Sequence, residues 1–179
     1  MLLGSFIFIQ SVSILSSRAY EQLESDNLRA RSVLYDTTLS FYTLSQDLLS
    51  DQSLIDLLSD SYDSPEDARR AIDAYPRLSK ILANYPSLSS LQVYALDENF
   101  PTQGFIRQAP TELSFLYSQV TVPGGFRWIV LDAEATQTGS PELALVRSFP
   151  LAHAQRPAIL VMRVSYNYLK NRIQNNKLF

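Results

Sequence analysis

The sequence of 179 residues contains no cysteine, a single histidine and no cluster of lysine or arginine residues. The absence of cysteine excludes disulfides, thiolate zinc sites and cysteine nucleophiles, and it fits an extracytoplasmic bacterial domain without requiring one. The lone His153 leaves few routes to a histidine-based metal or acid–base site, so we expect no metal and no cofactor. The net charge of −3 argues against nucleic acid as a partner.

Motifs for catalysis are also missing. The chain has no G-x-S-x-G sequence, and it lacks the phospho-acceptor histidine and the glycine-rich ATP motifs of a histidine kinase core. Three acidic residues, Asp56, Asp60 and Asp63, are close in sequence, but no glycine-containing calcium loop follows them. We therefore expect no catalytic residues and no enzymatic activity in this chain.

What the sequence does contain is a long stretch with helical periodicity. Neither proline nor glycine occurs between Ser5 and Leu49, and small or apolar residues recur at alternating steps of four and three. This stripe consists of Leu23, Asn27, Ala30, Leu34, Thr37, Phe41, Leu44 and Leu48. The bulky far half, which also contains Tyr42 and Leu49, predicts contact with the following domain. The near half predicts a coiled-coil dimer contact with Asn27 and Thr37 on its seam.

The first fifteen residues are apolar apart from Gln10 and three serines. They fall short of the roughly 20 residues that a spanning helix needs, and they lack the positive charge and cleavage site of a signal peptide. We interpret residues 1–16 as the outer part of a transmembrane helix; the alternative is a helix end buried in a soluble core. Residues 17–50 would then be a membrane-emergent helix, and residues 51–179 a domain that shares the far half of that helix.

The rest of the chain changes from helical to extended patterns. Ser53 is the expected cap of a helix over 54–61, and Ser64-Pro65 predicts the start of a helix that Pro76 kinks or restarts. Further helices are predicted over 112–119 and over 168–175 after Asn167. Extended patterns cover 91–96, 104–107, 126–132, 143–149 and 158–165. Short loops join the last three strands, so we expect an α+β fold with the helices packed on an antiparallel sheet of about five strands.

Three segments in this order carry a resemblance: SLSSLQVYALDEN, FRWIVLDAEATQTGSPELALVRSFPL and AILVMRVSYNYLKNRI. With the long helix before them, residues 20 to 175 resemble a Cache domain, a PAS-like extracytoplasmic sensor module of bacterial receptors. The Asp97-Glu98-Asn99 turn and the run from Val161 to Leu169 match the family's pattern. The chain looks most like the membrane-distal module of a double Cache sensor histidine kinase of the class often tied to carbohydrate uptake.

This resemblance implies a ligand-sensing domain of a membrane-bound two-component receptor. The domain would lie outside the cell membrane, form a homodimer and pass a binding signal through its long helix. Many amino-acid-binding members carry a tyrosine, an arginine and a Trp-Tyr pair on the short helix, then an aspartate closing the next strand. Here Tyr117 and Asp132 match that pattern, whereas the arginine and the Trp-Tyr pair have no counterpart.

Four residues are candidate ligand contacts: Tyr117, Trp128, Asp132 and Arg147. An indole face can stack on a sugar ring, a strand-end carboxylate can hold an ammonium or hydroxyls, and an arginine on a concave sheet can bind a carboxylate. Three of them have an alternative reading, which is core packing for Trp128, a turn residue for Asp132 and cover of the outer sheet face for Arg147. The expected ligand is a sugar or another small solute. A rival hypothesis is an exported structural or interaction module with an oligomerising helix and no ligand.

Overall fold

The computed structural model describes residues 2–95, 98–132, 141–151 and 158–174, with the side chains of residues 2–20 and Leu23 outside the description. Its helices are α1 (Leu2–Leu49), α2 (Gln52–Ser59), α3 (Pro65–Asp73), α4 (Arg77–Asn84), α5 (Leu116–Gln119) and α6 (Tyr166–Gln174). Its strands are β1 (Leu88–Ala95), β2 (Ile106–Gln108), β3 (Phe126–Leu131), β4 (Glu142–Ser148) and β5 (Ala158–Val164). This is the expected α+β architecture, with a long N-terminal helix and a five-stranded sheet.

Helix α1 is continuous, as the absence of proline and glycine predicted. Its far half lies in the core, where Val33, Thr37, Phe41, Leu44, Leu48 and Leu49 are buried. Thr37 is tolerated there because its hydroxyl donates to the carbonyl of Val33 at 2.7 Å, one turn back. The predicted core role of this half is confirmed, except that Tyr42 stays half-exposed.

Within the described residues, no helix combines the length and apolarity that crossing a membrane requires. The interpretation of residues 1–16 as part of a transmembrane helix depends on side chains outside the described set. It therefore stays a prediction.

Two helix caps differ from those predicted. Asp51, not Ser53, caps α2, because its carboxylate accepts the backbone N–H groups of Ser53 and Leu54. At α6 the Ser165 hydroxyl accepts the N–H of Tyr168 at 3.3 Å, so the helix begins before Asn167. In both cases the capping side chain lies two or three residues before the free N–H groups of the first turn from which it accepts hydrogen bonds.

The start of α3 and the break before α4 follow the prediction. Ser64 caps α3 by accepting the N–H of Asp67, and Pro65 occupies the first turn. The helix ends at Asp73, and α4 begins at Arg77 directly after Pro76. A further difference lies at 112–119, where a 3₁₀ turn at Thr111–Leu113 precedes the short α5 in place of one helix.

The sheet has the strand order β2-β1-β5-β4-β3, so β5 is its central strand. The pairs β1–β5, β4–β5 and β3–β4 are antiparallel, as the short loops predicted. The expected antiparallel sheet is wrong at one edge, where β2 runs parallel to β1 and pairs only with Val93–Ala95. Since β2 pairs with the last three residues of β1, the segment that joins the two strands has to return only roughly 10 Å along β1 before β2 begins. Gln108 stabilises this connection by donating to the carbonyls of Glu98 and Phe100 at 2.7 Å each.

The two faces of the sheet have different partners, since side chains alternate along each strand. On the face that we call the inner face, Leu91, Val93, Leu145, Leu160 and Met162 pack with α1, α2 and α4 in one apolar cluster. On the opposite face, the outer face, Tyr94, Ala144, Val146, Ile159 and Val161 pack with Leu113 and α5 in a second cluster. Any group held by the outer face is therefore separated from α1 by one layer of sheet.

Candidate ligand site

The four predicted site residues lie in separate places. Trp128 and Arg147 point to the inner face, because Trp128 packs against Phe41 of α1 with ring centroids 5.7 Å apart. Tyr117 lies on α5 and packs on the outer face. Asp132 follows β3 and is exposed. The structure does not bring these four together, and their roles in ligand binding stay predictions; Asp97 and His153 lie outside the described residues.

Arg147 is a buried cation that connects β4 to α1. Its three guanidinium nitrogens donate to Ser45 Oγ at 2.8 Å, to Gln46 Oε1 at 2.5 Å and to the Gly124 carbonyl at 3.2 Å. Its Cζ atom lies 5.2 Å from the ring centroid of Tyr42, so a cation–π contact adds to these bonds. These partners make Arg147 a connector between sheet and helix.

One end of the outer face carries a group that we call the arginine–tyrosine cluster: Gln92, Tyr94, Arg107 and Tyr117. Arg107 Nη2 donates to Gln92 Oε1 and to the Tyr94 hydroxyl, both at 3.2 Å. The Tyr94 hydroxyl in turn donates to Gln92 Oε1. The Nε atom of Arg107 and the hydroxyl of Tyr117 are buried and have no hydrogen-bond partner among the described residues.

Burial has a direct effect on Tyr117. Loss of solvent raises the pKa of its hydroxyl well above the usual value, and the neighbouring Tyr94 raises it further. The phenol therefore stays protonated at every pH at which the protein would work. A protonated, buried hydroxyl without a partner is a donor available to an acceptor group.

The other end of the outer face carries Ser90, Arg163 and Glu142. Ser90 and Arg163 are cross-strand neighbours on β1 and β5. Arg163 Nη1 lies 3.6 Å from Glu142 Oε2, and both side chains are largely buried. Ser90 Oγ and Arg163 Nε are buried without a hydrogen-bond partner in the described part of the chain. A cavity of about 590 Å³ opens beside Glu142, between the start of β4 and α6.

Among the described residues, four buried groups on the outer face or packed against it thus have unused hydrogen-bonding capacity: Ser90 Oγ, Arg107 Nε, Tyr117 OH and Arg163 Nε. A buried donor left without an acceptor costs about 1–3 kcal/mol, so native structures rarely keep several together without water or a ligand. All four groups can donate, and two of them belong to guanidinium ions. The arrangement suits a solute rich in acceptor oxygens, such as a carboxylate or a sugar acid.

Ser90 and Tyr94 are separated by four positions of β1, which is roughly 13 Å along the strand. Between them the outer face carries Gln92 and the apolar side chains of Val161 and Val146. A small solute would therefore use one end of the face. We take the arginine–tyrosine cluster as the candidate site because α5 covers it and because it combines a cation with two phenols.

Sequence reasoning found Tyr117 but missed Arg107, Ser90 and Gln92. A signal was present in β1, where the polar Ser90, Gln92 and Tyr94 alternate with the apolar Leu91, Val93 and Ala95. That alternation normally marks a solvated face, and only the packing of α5 shows that part of this face is buried.

Among the described residues, no three His, Cys, Asp or Glu side chains gather closely enough to hold a metal ion. The outer face offers arginines and hydroxyls, which are anion and hydroxyl ligands rather than cation ligands. The outer face therefore suits a molecule rich in acceptor atoms.

The chain was compared with known families, curated proteins and solved structures. No family model, no curated protein and no solved structure matches it. The resemblance to Cache domains therefore remains a hypothesis that rests on sequence pattern and element order.

Proposed function

We propose that this chain is the extracytoplasmic ligand-sensing domain of a membrane-bound two-component sensor histidine kinase. A small solute would bind the outer face of the sheet, and α1 would carry the signal toward a membrane-inserted N-terminal segment. The observation that carries the proposal is the two-sided sheet. Its outer face holds buried donors without acceptors, and its inner face is bound to α1 by a buried arginine.

The two faces share the same strands, which supports transmission of a signal. On β4, Arg147 contacts α1 from the inner face, while its neighbour Val146 packs in the outer cluster beside α5. A ligand that shifts β4 from the outer face must therefore also move Arg147 on the inner face. A ligand biases such an element only through its different affinities for the two arrangements.

The donors of the arginine–tyrosine cluster indicate the ligand class. Arg107 Nε and the Tyr117 hydroxyl both require an acceptor, and Arg107 adds a positive charge. A carboxylate supplies the kind of acceptor oxygen that each of these groups requires, and a sugar acid would add hydroxyls that Gln92 can hydrogen-bond.

The test is thermal unfolding of the full chain with succinate, gluconate and glucose as probes. A probe at one hundred times its Kd stabilises the folded state by about 2.7 kcal/mol. For a domain of this size that corresponds to roughly 5–10 °C in melting temperature. We expect at least one carboxylate probe to produce such a shift, and Arg107→Met and Tyr117→Phe to abolish it.

Arg127→Met is the matched control, because Arg127 is an exposed arginine on β3 whose bond is to Gln119 Oε1 at 3.0 Å. This variant should keep the shift. If no probe changes the melting temperature of the unaltered chain, the rival hypothesis of an exported interaction module without a ligand gains support. If Arg127→Met loses the shift as well, the arginine–tyrosine cluster is not the site.

The receptor part of the proposal has a separate test. It requires that the same reading frame encode a transmembrane stretch and a histidine kinase core. Sequencing the transcript that contains this chain should reveal both. A transcript that encodes this domain alone would contradict the kinase assignment and leave the ligand assignment untouched.

A further inference from the structure

Helix α1 is apolar on two opposite sides. One side packs on the domain through Val33, Thr37, Phe41, Leu44 and Leu48. The other side exposes Leu28 at 59%, Tyr35 at 68%, Leu39 at 51% and Tyr42 at 40%. At 3.6 residues per turn these four lie within about 60° of one another and directly opposite Thr37. A helix that carries a second apolar stripe has a second partner.

The spacing of the exposed residues identifies the kind of partner. Leu28, Tyr35 and Tyr42 follow one another at intervals of seven, and Leu39 divides the last interval into steps of four and three. This is the a/d repeat of a coiled coil, with the first three at d positions and Leu39 at an a position. Isolated exposed apolar residues are ordinary, but exposed apolar residues that repeat every seven positions on one helix face are typical of a helix that pairs with another helix.

The charges beside this stripe are complementary in one arrangement. In a parallel, in-register pair each g residue faces the e residue five positions later on the other helix. Glu24 then faces Arg29, and Arg31 faces Asp36, each pair occurring twice by symmetry. None of the four forms an ion pair within the described part of the chain. In an antiparallel pair, the registers that set Glu24 against either of these arginines differ by at least ten residues from those that set Asp36 against one of them, so no single antiparallel register forms both charge pairs.

We propose that a second copy of this chain docks on this face as a parallel, in-register coiled coil over residues 24–42. The seam is formed by Leu28, Tyr35, Leu39 and Tyr42, and it differs from the Asn27–Leu34 stripe that the sequence predicted. The inference depends on neither the proposed ligand nor the membrane segment. Serines at the a positions 25 and 32 shorten the apolar seam, so the pairing is reversible rather than obligate.

Because the chain has no cysteine, single cysteines report the seam directly. In a parallel pair, d positions bring the two Cα atoms within the range of a disulfide, whereas c positions do not. Tyr35→Cys and Leu28→Cys are therefore compared with their adjacent c positions, Leu34→Cys and Asn27→Cys, in the full chain under mild oxidation. We expect the d-position variants to form disulfide dimers at least about tenfold faster.

The four variants also separate the competing arrangements. Crosslinking at both 28 and 35 requires parallel helices, since an antiparallel pair could align only one of these positions with itself. Faster crosslinking at Asn27 and Leu34 would establish the other seam and overturn the proposal. Equal rates at all four positions would indicate random collision and overturn it as well.

The register is tested by exchanging charges in the Tyr35→Cys background. Arg31→Glu should slow dimer formation, because it places a glutamate opposite Asp36 of the second copy. Adding Asp36→Arg should restore the rate. If the double exchange stays as slow as the single one, the charges do not face each other and the in-register pairing is wrong. Circular dichroism of each variant checks that the helical content is unchanged.

Discussion

At the scale of single residues, Asp51 combines three structural roles. Its carboxylate caps α2, and it accepts hydrogen bonds from the Tyr75 hydroxyl and from Arg77. Burial alone would raise the pKa of Asp51, but hydrogen bonds from Tyr75, Arg77 and the Leu54 N–H outweigh burial and lower it. This one side chain thereby joins the end of α1 to α2, α3 and α4.

The lowered pKa gives Asp51 a defined effect on acid stability. A carboxyl group with a lower pKa in the folded state stabilises the protein above its unfolded pKa of about 3.9. That contribution is lost as the pH falls through the folded pKa. We predict that Asp51→Asn lowers the free energy of unfolding by roughly 1 kcal/mol at pH 7, because asparagine still caps α2 but loses the charged hydrogen bond from Arg77. The loss of stability on going from pH 5 to pH 2 should be smaller in this variant than in the unaltered chain.

Urea unfolding at several pH values measures both effects. Asp56→Asn is the control, since the Asp56 carboxylate is exposed and accepts a hydrogen bond from Gln52 of its own helix at 2.7 Å. An Asp51→Asn variant with unchanged acid sensitivity would show that the carboxylate does not contribute through its charge.

At the scale of elements, the contact between α1 and the sheet depends on Arg147. The side chain carries a charge into a buried position and is held there by neutral acceptors and aromatic rings. Methionine has a similar length and would keep much of the packing while removing every hydrogen bond. Hydrogen bonds to charged groups contribute about 1.5–3 kcal/mol, so we predict that Arg147→Met lowers the free energy of unfolding by about 2 kcal/mol.

The measurement is the urea midpoint, compared with that of Arg127→Met, which should stay within about 0.5 kcal/mol of the unaltered chain. Near-ultraviolet circular dichroism should also change in Arg147→Met, because Tyr42 and Phe126 lose the cation that contacts both of their rings. Stability equal to that of the unaltered chain would mean that apolar packing alone docks α1.

The elements were largely predictable because their signals are local. The continuous α1, the Ser64-Pro65 start of α3 and the strands β3 to β5 follow from periodicity and capping chemistry. The parallel pairing of β2 was not predictable, since it depends on how the chain after Ala95 folds back through contacts of Gln108. The cap at Asp51 was missed because its advantage over Ser53 comes partly from Tyr75 and Arg77, which are distant in sequence.

The candidate site was less predictable than the fold. Trp128 and Arg147 had the right chemistry for a ligand, but their strand register directs them toward α1. Arg107 gave no local signal, since its value depends on the parallel pairing that places it beside Tyr94. A site built across strands is decided by pairing, and pairing is a tertiary property.

At the scale of the whole molecule, α1 has two environments. Residues near its C-terminal end pack on the sheet, whereas residues 24–32 are exposed or only partly buried. We predict that amide hydrogen exchange is slow over residues 38–49 and clearly faster over residues 24–32 in the dilute chain, because only the first segment is held by the core. In the disulfide-linked Tyr35→Cys dimer, exchange over residues 24–32 should slow.

Mass spectrometry of peptic fragments resolves the two segments. Leu34→Cys, oxidised under the same conditions, provides the comparison. Slow exchange over residues 24–32 at concentrations too low for association would mean that the isolated helix is already stabilised within one chain.

The length of α1 has a mechanical consequence. Val33 is buried against the domain, and the helix extends from there to Leu2, a distance of roughly 45 Å at 1.5 Å per residue. A tilt of about five degrees where the helix is seated would displace its far tip by roughly 4 Å. Ser45, which Arg147 contacts, lies roughly 18 Å beyond Val33 in the other direction, so a shift of Ser45 would be more than doubled at the far tip of α1.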